Sequence, residues 1–187
     1  LIEEILKENK LTLNDIDRFA VAIGPGSYTG LRIGITTVKM FASILNKEVV
    51  GISTLQALAK GVKEPALVIT GLDARNDNYF AAGYISGDIP KNVIPDGHYN
   101  IDVLIKAIQE YAAQNKVDKI VFVGSGLEKQ DEKIKALNIP YEYGTDEQNV
   151  IHAGLIGQLA IDAQPIDPDK LLPRYLRRTQ AEVDWHK

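Results

Sequence analysis

The segment GPGSYTGLRIG, residues 24–34, constrains this chain more than any other. It follows a short apolar run (RFAVAI, 18–23) and opens a helical pattern over 29–46. A strand, a glycine–proline turn and a helix, in that order, form the repeating step of a layered α/β protein. Backbone amides at such a helix start can hold an anion. The surrounding residues argue against a nucleotide loop. A P-loop carries lysine and a hydroxyl after its last glycine, where this chain has Leu31 and Arg32. A dinucleotide fingerprint spaces its glycines differently. Two readings stand: an anion cradle, or a tight strand-to-helix turn in which Ser27 caps the helix.

The helix after the turn says more. At 100° per residue, Leu31, Gly34, Ile35, Val38, Ala42 and Leu45 cover one face, and Ile33, Thr37, Met40, Phe41 and Ile44 the neighbouring one. Only Arg32, Thr36, Lys39 and Ser43 form a polar strip. This arc exceeds the stripe of about 100° that a helix needs against its own sheet. The surplus face is either covered by more of the same chain or is a protein–protein interface. Gly30 and Gly34, four apart, would admit the close approach of a second helix, so Gly34→Arg is expected to block pairing and leave the monomer folded.

Around the glycine turn, the pattern gives an opening amphipathic helix (Leu1, Ile2, Ile5, Leu6), a turn with capping-box spacing at Thr12 and Asp15, a second strand at 49–52, and a helix from Ser53 to Lys60. Residues 61–65 break the pattern. It restarts with strands at 66–72, 78–85 and 92–94, a strong helix at 101–114, a buried strand at 119–123, a helix at 128–137, a weak strand at 141–143 and a helix at 150–163. Three strands, helix, strand, helix, strand, helix is a ribonuclease-H-like order. The first half ends in the same order but lacks the three opening strands, about 30 residues at 5–6 per strand. Two such units side by side make the actin-like ATPase architecture. Residues 1–62 are therefore expected to be the remainder of a first lobe, and 63–187 a second lobe with a C-terminal tail.

Composition narrows the function. The net charge of −4 disfavours direct nucleic-acid binding, and the only dense basic cluster is Arg174, Arg177 and Arg178. No cysteine is present, which excludes disulfides and thiol-ligated zinc. No stretch reaches the roughly 18 apolar residues of a membrane span. His98, His152 and His186 lie far apart and form no helical histidine pair. No G-x-S-x-G elbow occurs.

Three separated motifs resemble the TsaB (YeaZ) family: the glycine turn with Gly24, Pro25, Gly26, Ser27 and Gly30; the DAR of Asp73 to Arg75 with Tyr79; and PRYLR, including Pro173, Tyr175 and Arg177. The resemblance implies an actin-like fold and a scaffold without catalytic, cofactor or metal residues. It also implies a cytoplasmic protein that pairs with TsaD, the transferase making threonylcarbamoyladenosine at position 37 of tRNA, and is joined by the ATPase TsaE. Pairing uses the first helix and the helix after the glycine turn, which places Leu1, Ile5, Thr29, Arg32, Ile33, Gly34, Thr37, Met40 and Phe41 in the interface. Without TsaD the same surface implies a homodimer, and tRNA is met at most indirectly. The family's opening aspartate–threonine–serine strand and hairpin have no counterpart here.

Some assignments stay open at this level. Asp73 and Arg75 either shape an interlobe cleft or a TsaE surface, or simply hold a turn. The arginine cluster either attracts an acidic surface or tRNA backbone, or is a solvated tail. Set against the scaffold is an enzyme working alone, an actin-like ATPase or sugar-kinase-like phosphotransferase. Behind both is a peptidase, for which no nucleophile–base pair is evident.

Overall fold

A computed structural model of the chain describes residues 2–177. Leu1, Arg178 and His186 lie outside them. The elements run α1 (Ile2–Glu8), β1 (Arg18–Gly24), α2 (Tyr28–Leu45), β2 (Glu48–Ser53), α3 (Thr54–Lys60), β3 (Leu67–Asp73), β4 (Asn78–Ile85), β5 (Lys91–Asn100), α4 (Ile101–Gln114), β6 (Ile120–Gly124), α5 (Asp131–Lys135), β7 (Tyr141–Tyr143) and α6 (Ala153–Ile161).

Two sheets result. β1 and β2 pair in parallel, from Arg18 opposite Glu48 to Gly24 opposite Ser53. The second sheet has the order β5-β4-β3-β6-β7, with β4 antiparallel to its neighbours and β3, β6 and β7 parallel. That is the ribonuclease-H-like order expected from the chain pattern, and the whole is an α/β protein of the actin-like type.

α3 joins the two sheets. Its sequence TLQALAK offers apolar residues all round, the signature of a helix buried on every side, and six of its seven residues are buried. Leu55, Leu58 and Ala59 pack with Val68, Ala82, Tyr84, Val121 and Val123 of the second sheet. Ala57 faces the other way, toward Val50 and Ile52.

The sheets divide near residue 62, but the packing does not. α6 follows the second sheet in sequence, yet its Leu159 and Ala160 cover Val50 and Ile52 of the first. The Arg18 guanidinium, at the start of β1, donates to the carbonyls of Ile161 (2.7 Å) and Ala163 (3.2 Å) and so caps the end of α6. Residue 171 also returns to the first lobe: Leu171 is buried among Ile35, Ala42 and Val49. Leu159, Ala160 and Leu171 thus pack with the first sheet, beside Ala57 of α3 in one cluster and Ile35 and Ala42 of α2 in the other.

Three elements differ from the sequence expectation. β5 runs ten residues instead of three and passes through Pro95. It tolerates proline because it is an edge strand, paired only with β4, and needs no ladder amide there. The helix expected at 128–137 splits into a 3-10 turn, Leu127–Gln130, and the short α5. The helix expected at 150–163 begins only at Ala153, and the residues before it form turns.

α5 carries a polar anchor for β7. The Asp131 carboxylate accepts from Lys135 (2.5 Å), Tyr141 OH (2.6 Å) and Tyr143 OH (2.9 Å). These contacts, Lys135 first, lower its pKa to about 2 from an ordinary 3.8. A carboxyl held below its unfolded value stabilises the fold above that value and loses the contribution as pH falls through its folded one. Stability should therefore decline between about pH 4 and about 2. Asp131→Asn should flatten that part of an acid titration followed by circular dichroism, and an unchanged profile would show that Asp131 does not contribute.

Candidate partner-binding surface

α2 is built to show two apolar faces. Ser27 caps its start, accepting from the Gly30 amide (3.2 Å), and Leu31 N–H donates to the Ser27 carbonyl (2.9 Å). The Gly30 amide is thus taken by the Ser27 cap, the arrangement expected of the tight turn. Asn46, with φ +50°, closes the other end. Between the caps, Ile35 and Ala42 are buried in a cluster with Val49 and Leu171, against which Leu31 and Val38 of α2 and Phe19, Val21 and Ile23 of β1 pack.

The neighbouring face has no cover among the described residues. Ile33 is 64% exposed, Met40 50% and Ile44 74%. Phe41 lies at the border, its ring 5.7 Å from that of Phe19. It also lines a groove of 610 Å³ with Ile2, Leu6, Leu11 and Leu13. α1 has no buried residue, and its Ile2 and Ile5 are about half exposed. Thr37 spends its hydroxyl on the Ile33 carbonyl (2.8 Å), so it presents its methyl without an unpaired donor. Thr29 and Arg32 are exposed at the N-terminal end.

Gly34 requires a correction. It is half-buried on the sheet-facing side, where an added Cβ would stand 3.5 Å from a Val21 methyl. An arginine there presses on β1, so Gly34→Arg tests the packing of the lobe before it tests any pairing. Gly30 would meet only Ser27.

Two of the three motifs meet in space. The Arg174 amide donates to the Ile23 carbonyl (2.7 Å). Gly24 has φ +118°, and a Cβ on it would stand 2.9 Å from the Arg174 carbonyl oxygen. The Tyr175 ring stacks on Tyr28 (5.4 Å, 24°), and its hydroxyl accepts from Arg32 Nε (3.3 Å) while the guanidinium lies 4.6 Å from the Tyr28 ring centre. Sequence reading missed Tyr28 here. The signal was present, since Tyr28 and Arg32 stand four apart on one helix face.

The third motif is apart. Asp73 accepts from the Arg75 amide (2.8 Å) and from Lys129 (3.0 Å), contacts that in this order hold its carboxyl below the usual range. The turn is thus held by the backbone of Arg75, which, with Asn76 and Asp77, has positive φ. Tyr79 is buried, its hydroxyl donating to the Gly126 carbonyl (2.9 Å). All these partners belong to the second lobe. Among the described residues no group of three His, Cys, Asp or Glu side chains is placed to hold a metal, and no helix is long and apolar enough to cross a membrane. Ser53, the N-cap of α3, donates to Asp96 (2.7 Å).

A family model described as TsaD, tRNA N6-adenosine threonylcarbamoyltransferase, matches residues 1–185. The chain belongs to this family, in its TsaB (YeaZ) branch. It is similar to the tRNA threonylcarbamoyladenosine biosynthesis protein TsaB of Bacillus subtilis, 27% identical over 98% of this chain and 80% of that protein. The TsaB of Escherichia coli is 33% identical over 67% of this chain and 54% of its own length. In fold it matches YeaZ from Pseudomonas aeruginosa, with a TM-score of 0.72 at 22% identity over 94% of this chain and 81% of that one.

Proposed function

We propose that the chain is the accessory subunit of a tRNA-modifying assembly and does no chemistry itself. It binds TsaD through α1 and α2, helps to recruit TsaE, and so supports threonylcarbamoylation of adenosine 37 in cytoplasmic tRNAs that read codons beginning with A. The relatives named for threonylcarbamoyladenosine biosynthesis support the pathway. The observation that carries the role is the uncovered row Ile33, Met40 and Ile44 on a helix whose other apolar face is already committed to its own sheet. Such a row beside a second exposed amphipathic helix matches the helix-to-helix packing of an interface. In the absence of TsaD, two copies cover the same row.

The test is a reconstituted modification reaction, with and without the full-length protein carrying this chain. Modification is expected to depend on it, while the isolated protein hydrolyses ATP at background. Modification that proceeds equally well without it would overturn the reading, and ATP turnover by the protein alone would favour the enzyme.

A further inference from the structure

The carboxylate of Asp96 is a buried polar junction between the two lobes. Its side chain is 4% exposed. One oxygen accepts from the Ser53 hydroxyl (2.7 Å), at the end of β2 in the first lobe, and from the Arg174 guanidinium (3.0 Å). The other accepts from the Tyr84 hydroxyl (2.7 Å) on β4 and from the Asn92 amide (3.4 Å) on β5. Four donors, from β2, β4, β5 and residue 174, therefore converge on a single buried carboxylate.

Residues 171–177 pass this point and make contacts with both lobes. Leu171 is 1% exposed in the core of the first lobe. Arg174 holds the end of β1 through its amide and Asp96 of the second lobe through its side chain. Tyr175 lies on Tyr28 and Arg32 of α2, and Leu176 packs on the cluster of Leu55, Val68 and Tyr84. We propose that residues 171–177 form a releasable clasp that ties the two lobes to each other and to the N-terminal end of α2, with the Arg174–Asp96 contact as its fastening.

The asymmetry of that contact makes it releasable. Asp96 keeps three neutral donors when Arg174 leaves, so it is not stranded as a bare buried charge. The Arg174 side chain is 48% exposed and moves into water at little desolvation cost. Leu171, fully buried, stays as the pivot. Beyond it, Tyr175 is about half exposed and rests on α2 by one stacked ring and one hydrogen bond. Arg32, which makes that bond, is the neighbour of Ile33 at the head of the exposed apolar row. Anything that draws Arg32 or Tyr175 away from the other loosens the clasp and removes one tie between the lobes, while the Ser53–Asp96 bond remains. The inference rests on these contacts alone and not on which partner occupies α2.

Hydrogen–deuterium exchange on the full-length protein tests it. Arg174→Ala is expected to raise exchange about tenfold, the scale of one lost charged hydrogen bond, in three places: residues 171–177, residues 28–36 and residues 53–56. Peptides from α4 and α5 should not change. Arg174→Lys, which keeps the charge, should restore much of the protection. Tyr175→Phe, which removes only the bond to Arg32, should affect 28–36 while leaving 53–56 protected. The proposal is overturned if Arg174→Ala leaves 28–36 and 53–56 unchanged, or if exchange rises equally through α4. Should Arg174→Ala not fold, Tyr175→Phe decides alone: unchanged exchange at 28–36 overturns the clasp.

Discussion

Gly124→Ala should be among the most damaging single substitutions in this chain, lowering stability by roughly 3–5 kcal/mol. Gly124 ends β6 with φ +117°, a conformation that L side chains rarely adopt, and its added Cβ would stand 1.9 Å from the carbonyl oxygen of Gly71 on β3. The obstacle is backbone of the central strand pair, so no rotamer change relieves it, and β3 and β6 must separate. Against a total stability of about 5–15 kcal/mol that is a large fraction of the whole. Gly154→Ala is the control: nothing lies within 4 Å of that Cβ, and a helical position gains from alanine by up to about 1 kcal/mol. Urea denaturation of the two variants should move the midpoint in opposite directions. An unshifted midpoint for Gly124→Ala would mean that the two strands do not approach as described.

The double variant Ile33→Asp, Ile44→Asp should have the largest effect on binding. At 64% and 74% exposure neither side chain holds the monomer together, so its melting temperature should stay within about 2–4 °C of the parent. In an interface, each is an apolar anchor whose replacement by a charge costs at least about 1–2 kcal/mol. Together that is a loss of affinity for TsaD of at least about thirtyfold, read by calorimetry with the purified partner. Self-association measured by sedimentation should fall in parallel. Unchanged affinity for TsaD would move the partner surface off this face of α2. Because the proposed assembly is tested separately by tRNA modification, a misplaced surface and a mistaken function give different results.

Much of the architecture was legible because the signals are local. The buried strands at β3 and β6, the alternating β4 and the amphipathic α4 each carry their pattern within one window of sequence, and α4 spans the residues 101–114 that its periodicity indicates. The excess apolar arc of α2 was legible for the same reason. Length and edges were not. β5 reads as three residues because Pro95 and Asp96 interrupt its apolar alternation, and only its edge position makes them acceptable. α6 reads as a helix of the second lobe, and nothing in its own residues says that it covers the first.

The candidate surface divides in the same way. Periodicity placed Ile33, Thr37, Met40 and Phe41 on one side of α2 and Leu31, Ile35, Val38 and Ala42 on the other, but it could not say which side the sheet would take. That choice is made by Phe19, Val21 and Ile23, which arrive from β1, and by Leu171, more than a hundred residues later. It also turned Gly34 inward. The motif residues Gly24 and Tyr175 were each visible as sequence, yet their contact with one another's neighbourhoods is a product of the fold. The set of elements, their order and the presence of one apolar face too many follow from the chain alone, since these depend on periods of two and 3.6 residues. Which face was left uncovered, and how residues 171–177 bind both lobes, emerge only in the fold. Those depend on contacts between segments far apart in the chain, which no local pattern encodes.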